Sequence, residues 1–118
     1  MIYIDEPGIV KWKAIQGSTF YKQYTLTQSG APVNITGWTA KLGGKRNINQ
    51  NSLDIDLSTT GGSITIGGIT GVFTITATPA ITRTWPIGDV IIQFEFIEGA
   101  VVQTYFVGTI TVSKEIPV

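Results

Sequence analysis

β-Branched and aromatic residues alternate with polar ones along the chain in runs of about five to ten residues, and clusters of glycine, proline, asparagine and serine separate the runs. A two-residue period belongs to strands with one buried and one wet face, and helical spacing is nearly absent. The pattern predicts strands over Ile9 to Ala14 and Ser18 to Thr27, broken at Gln16-Gly17, with Phe20, Tyr24 and Leu26 on one face of the second. Ser29-Gly30-Ala31-Pro32 reads as a turn, and Trp38 to Leu42 as a strand with Trp38, Ala40 and Leu42 inward. The polar stretch from Gly43 to Ser52 reads as the most mobile loop. Leu53, Ile55 and Leu57 then alternate with Asp54 and Asp56 as a half-buried strand. Gly61-Gly62 and Gly67-Gly68 bracket Ser63 to Ile66, and Gly71 precedes Val72 to Ala77, a spacing that suits hairpins with tight turns. One helical turn is predicted near 79–84, with Thr78 as N-cap, Pro79 in the first helical position and Trp85-Pro86 as the stop.

Asp89 to Ile97 and Val101 to Ser113 are long strands joined across Glu98-Gly99-Ala100, and they predict a hairpin. A three-residue loop sets Phe96 opposite Val102, Phe94 opposite Thr104 and Ile92 opposite Phe106 on the core face. The other face then carries Ile91, Gln93, Glu95 and Ile97 against Val107, Tyr105, Gln103 and Val101. A two-residue turn would invert one strand's faces unless a bulge corrected it. In either register both faces of the hairpin are apolar, so the second face wants a cover. Regular short strands predict an all-β protein, an antiparallel immunoglobulin-like β-sandwich with at most one short helical turn, a small Greek-key barrel being the alternative. No repeat or low-complexity tail divides the chain, which reads as a single domain over 1–118 with residues 1–8 as an N-terminal arm.

Composition narrows the chemistry. Of 118 residues 42% are hydrophobic, and eight basic against eight acidic side chains give no net charge and leave no electrostatic footprint for nucleic acid or an acidic membrane surface. The absence of cysteine and histidine removes thiolate nucleophiles, cysteine-ligated metals, the commonest metal ligand and the commonest general base. Met1 to Pro7 has acids and a proline where a signal peptide needs a basic start and an apolar run, and no stretch has the length of a membrane span. The expectation is a protein made in the cytoplasm.

Several side chains have types and spacings that bear on chemistry. Asp54 and Asp56, one strand period apart, could hold a cation or a sugar, but no loop follows to complete a calcium site, and the wet face of an edge strand accounts for both. Gly43-Gly44-Lys45 lacks the spacing and the following helix of a phosphate loop. Trp38 and Trp85 read as packing, whereas Trp12, between Lys11 and Lys13, is either a core residue or an exposed anchor. No base is placed to activate a serine or threonine. The sequence therefore assigns no catalytic, cofactor-binding or metal-binding residue.

In order along the chain stand Gly17-Ser18-Thr19-Phe20, Ile35-Thr36-Gly37-Trp38-Thr39, Gly62 to Ile66, Gly71 to Ile75, Pro86-Ile87-Gly88-Asp89-Val90 and Gly108 to Val112. From about Gln16 to Ile116 this series resembles the β-sandwich domain at the N-terminus of baseplate upper proteins of tailed bacteriophages. The resemblance implies a non-enzymatic virion structural protein of the tail or baseplate, encoded by a phage or prophage, and supplies no catalytic residues. Its partners would be other tail or baseplate proteins or further copies of itself in a multi-copy assembly, with no nucleic acid and no membrane. The partner-binding candidates are Ile91, Ile97, Val101, Tyr105 and Val107, with Trp12 and the Met1 to Pro7 arm as further contacts. The rival expectation is a carbohydrate-binding module stacking sugars on Trp12, Tyr21 or Tyr105. A fragment of a polysaccharide-degrading enzyme is a third, and it lacks two carboxylates facing one cleft.

Overall fold

A computed structural model describes residues 9–116; the N-terminal arm expected over residues 1–8 lies outside them. The strands are β1 Val10–Ile15, β2 Phe20–Thr25, β3 Thr27–Gln28, β4 Ala31–Pro32, β5 Thr39–Lys45, β6 Ile55–Ser58, β7 Ile64–Ile66, β8 Val72–Ala77, β9 Gly88–Glu98 and β10 Val101–Ser113. The helical turn is α1, Pro79–Thr82, and a 3-10 turn covers Gly68–Thr70. One sheet has the order β1-β10-β9-β5-β6, the facing sheet the order β2-β8-β7, and β3 with β4 forms a small separate ribbon. The two larger sheets enclose the core, so the expected β-sandwich is what the chain forms.

Burial follows the two-residue period that the pattern predicts. On the five-stranded sheet Val10, Trp12 and Ala14 of β1, Ala40 and Leu42 of β5, and Val90, Ile92, Phe94 and Phe96 of β9 point inward and are buried. From the facing sheet Phe20, Phe73, Ile75 and Ile64 meet them. Aromatic rings run through the centre: Phe73 lies 5.1 Å from both Phe94 and Phe96 and 5.8 Å from Tyr24. Trp85 closes one end against Phe20 at 5.5 Å, and half-buried Trp38 closes the other against Phe96 at 5.7 Å. Thr78 caps α1 as expected, its hydroxyl accepting from the Ile81 N–H. The buried Thr82 hydroxyl accepts from the Gly17 N–H at 3.0 Å and donates to Ser18 O at 3.0 Å, which pins α1 to the turn between β1 and β2.

The strand expected over Ser18 to Thr27 is divided at Leu26, and Ala31–Pro32 of the expected turn pairs back as β4. Three further departures shape the five-stranded sheet. The expected loop at Gly43 begins only after Lys45, because β5 continues through Gly43 and Gly44. A Cβ on Gly44 would sit 2.9 Å from Val90 Cγ1 and 3.1 Å from Ile55 Cβ, so glycine there is a packing residue in a strand. The terminal hairpin turns on two residues, Gly99 and Ala100, and its faces are restored by a bulge. Glu95 pairs with Thr104, then Phe94 with Phe106, leaving Tyr105 as the extra residue. The three-residue register with Phe94 opposite Thr104 is thereby replaced. The third departure is the parallel pairing of β1 with β10, Val10 opposite Gly108, at the edge of an otherwise antiparallel sheet. A Cβ at Gly108 would collide with the Val10 carbonyl, so the strands approach this closely only at glycine.

Candidate interaction surface

The two outer faces of the sandwich differ. On the three-stranded sheet the outward residues are Tyr21, Gln23, Thr25, Thr65, Val72, Thr74 and Thr76, and Gln23 Nε2 donates to Thr74 Oγ1 at 3.2 Å. That face carries no charge, and it is polar apart from the ring of Tyr21 and half-buried Val72.

The outer face of the five-stranded sheet carries apolar side chains instead. Ile91 is 47% exposed and Val107 44%, although each stands on an interior strand. Between them and the loop over 46–54 lies a trough of about 390 Å³. Gly43 and Gln93 form its floor, Ile48 and Leu53 rise on the loop side, and Lys41 and Lys45 stand along it with Glu95. Because Gly43 has no side chain, the trough stays open over β5; a Cβ there would lie 3.3 Å from Leu53 Cδ2 and begin to fill it.

Asp54 gives the loop its shape. Its carboxylate accepts from the Arg46 backbone N–H at 2.9 Å, the Gln50 amide at 2.9 Å and Arg46 Nε at 3.2 Å, while its own N–H donates to Gly44 O. The Arg46 backbone donor foremost, then the Gln50 amide and the Arg46 guanidinium, hold that carboxyl below its ordinary pKa. The stretch expected to be most mobile is thus tied at both ends, and it carries Ile48 and Leu53 onto the sheet. Asp56 stays exposed on edge strand β6, so the two aspartates do different things and form no joint site.

The structure separates the six expected contact residues. Ile91 and Val107 line the trough. Ile97 and Val101 belong to the hairpin tip, where Val101 is 59% and Val102 57% exposed; along β9 the tip lies about 20 Å from Ile91. Tyr105 and Trp12 are corrections. The bulge directs Tyr105 inward beside Phe106, and it is buried against Phe73, Phe96 and Phe94. Trp12 takes the core side of its two alternatives: its ring meets Phe106 edge-on at 5.2 Å, its indole N–H donates to Tyr24 OH at 3.2 Å, and Lys22 Nζ lies 5.6 Å over it. Of the three rings considered for stacking sugars, Tyr21 alone is on the surface. Ile48, Leu53 and Val102 were not anticipated. Ile48 stands in a stretch with no periodicity, Leu53 reads as the buried start of the strand over 53–57 but lies before β6 and is exposed, and Val102 reads as inward in the three-residue register. Among the described residues no group of three or more acids that could hold a metal ion occurs, and no helix is long and apolar enough to cross a membrane.

Two sheets closed over an aromatic core, with one polar and one partly apolar outer face, define the chain as a β-sandwich. No family model and no curated protein matches it. Among solved structures its fold is similar to that of the N-terminal domain of phage TP901-1 ORF48, with a TM-score of 0.51 over 91% of this chain and 86% of that one, at 17% sequence identity.

Proposed function

We propose that the protein is a non-enzymatic structural component of a phage virion, in the tail or baseplate, that works by packing against other tail proteins and further copies of itself. The observation that carries this reading is the contrast between the outer faces. One is largely polar, while the other exposes Ile48, Leu53, Ile91 and Val107 around an open trough and Val102 at the hairpin tip. Apolar surface gathered at particular places on a sheet face, rather than scattered, marks a contact surface. The order of turn-and-strand motifs resembling baseplate upper proteins, and the shared fold with a domain of a phage protein, point to the same setting.

Packing by faces is also what the sheet edges favour. The outermost strand β1 carries exposed Lys11 and Lys13, β6 and β7 are short, and edge strand β2 points Lys22 toward the inner face, all of which discourage a partner from adding a strand. The test is mass spectrometry of particles purified from the bacterium that carries the gene. The protein is expected among the tail proteins in a fixed ratio to them, and its absence from intact particles would overturn the proposal.

A further inference from the structure

We propose that the hairpin tip of one copy seats in the trough of the next, joining copies head to tail. This rests on the assembly reading above and names its contact. The tip is convex and apolar: Val101 pairs with Glu98 and Val102 with Ile97, so the valines flank the two-residue turn on opposite faces, and both are more than half exposed. The trough, at about 390 Å³ and open to solvent, has room for a pair of branched side chains and is walled by Ile48, Leu53, Ile91 and Val107. Charge agrees with shape. Exposed Glu98 stands beside Val101 at the tip, and along the trough Lys41 and Lys45 outnumber Glu95, leaving it net positive.

A tip cannot fill its own trough, because both lie on one stiff pair of strands and are separated by about 20 Å along β9. A tip that fills the trough therefore belongs to a second copy. Tip and trough are different surfaces, so every copy that uses its tip still offers a trough, and the contact repeats until rotation closes a ring or a filament grows. The side chains involved cover far less than the roughly 1,000 Å² of a stable isolated interface. A single contact is accordingly weak, and closure or attachment to a common partner strengthens it.

Sedimentation velocity up to several hundred micromolar tests this. Wild type is expected to associate with rising concentration. The double variant Val101→Asp/Val102→Asp, and separately Leu53→Asp, is expected to weaken association by about tenfold or more. All three positions are exposed, and thermal melts by circular dichroism confirm that the variants fold. An equimolar mixture of the two variants is the decisive arm. One keeps an intact trough and the other an intact tip, so the mixture is expected to form heterodimers and stop there. A mixture that stays monomeric while wild type associates overturns the head-to-tail contact and leaves the assembly reading standing. The same holds if removing residues 1–7 abolishes association while the tip variant behaves as wild type, because the terminal segment is then the occupant. A wild type that stays monomeric overturns the contact as well, and the place in the virion is then decided by the particle measurement.

Discussion

Gly108 and Gly44 both sit where a side chain would collide, and what each would collide with sets the cost of replacing it. At Gly108 the added methyl meets the carbonyl of Val10 across the parallel β1–β10 pair, and backbone in a ladder cannot step aside. At Gly44 it meets Val90 Cγ1 at 2.9 Å, Ile55 Cβ at 3.1 Å and Ile92 Cγ2 at 3.2 Å, side-chain atoms that have more room to give than a backbone carbonyl in a ladder. Gly108→Ala is therefore expected to destabilise by about 3 kcal/mol and Gly44→Ala by about 1 kcal/mol, both within the range for overpacked sites. Urea denaturation of the two variants checks this, and equal midpoints would show that β1 yields as easily as the core does. A smaller effect of opposite sign is expected at Ser29, which adopts φ 52° in the tight turn before Gly30. Asparagine tolerates that left-handed conformation better than serine, so Ser29→Asn is expected to raise stability by a few tenths of a kcal/mol.

At the level of elements, the loop over 46–54 depends on one ionised carboxylate. Asp54 is held below its usual pKa by the Arg46 backbone N–H first, and Glu115 likewise by its two contacts with the Arg83 guanidinium at 3.2 Å each. A depressed folded-state pKa means that the contribution is complete above the unfolded value of about 4 and is lost as pH falls through the lower folded value. The urea midpoint of wild type is thus expected to drop between pH 6 and pH 3, and that of Asp54→Asn to start lower and drop less. Identical pH dependence in the two proteins would mean that the loop does not rely on this charge. The same loop shows what could be read from the sequence. Strands with clean alternation, β1, β6, β8 and β9, were legible because a period of two states which face is buried. Gly43 and Gly44 read as loop because glycine usually marks one, and only the facing Val90, Ile55 and Ile92 show why the strand needs Gly44. A bulge somewhere in the hairpin is one of two readings of the sequence, and its position at Tyr105 is not legible there, since loop length and bulge compensate within one sequence. Ile91 and Val107 are legible as a second apolar face; Ile48 reaches it through hydrogen bonds to Asp54 that leave no pattern, and the same bonds end the alternation at Ile55 and turn Leu53 out of the expected strand.

Across the whole molecule, zero net charge leaves little long-range repulsion to keep copies apart, so resistance to disordered association falls to a few well-placed charges. Strand β1 is where they matter most. With Lys11 and Lys13 replaced by valine, residues 9–15 would read Ile-Val-Val-Trp-Val-Ala-Ile, an uninterrupted apolar run on an edge strand, which is the signature of edge-to-edge aggregation. The outward faces of Thr109 and Thr111 stand directly beside those lysines on the interior strand β10. Thr109→Val/Thr111→Val adds apolar surface to the same part of the same face while leaving the edge guarded. The lysine pair is therefore expected to convert slowly to thioflavin-positive material with an intermolecular β band in the infrared, whereas the threonine pair is expected to remain soluble under the same conditions. If both pairs aggregate alike, surface apolarity alone is responsible and the edge lysines are not guards. If the lysine variant instead forms discrete oligomers that the Leu53→Asp change dissolves, the added valines have strengthened face packing, and edge protection in this sandwich comes from its short strands and the inward Lys22.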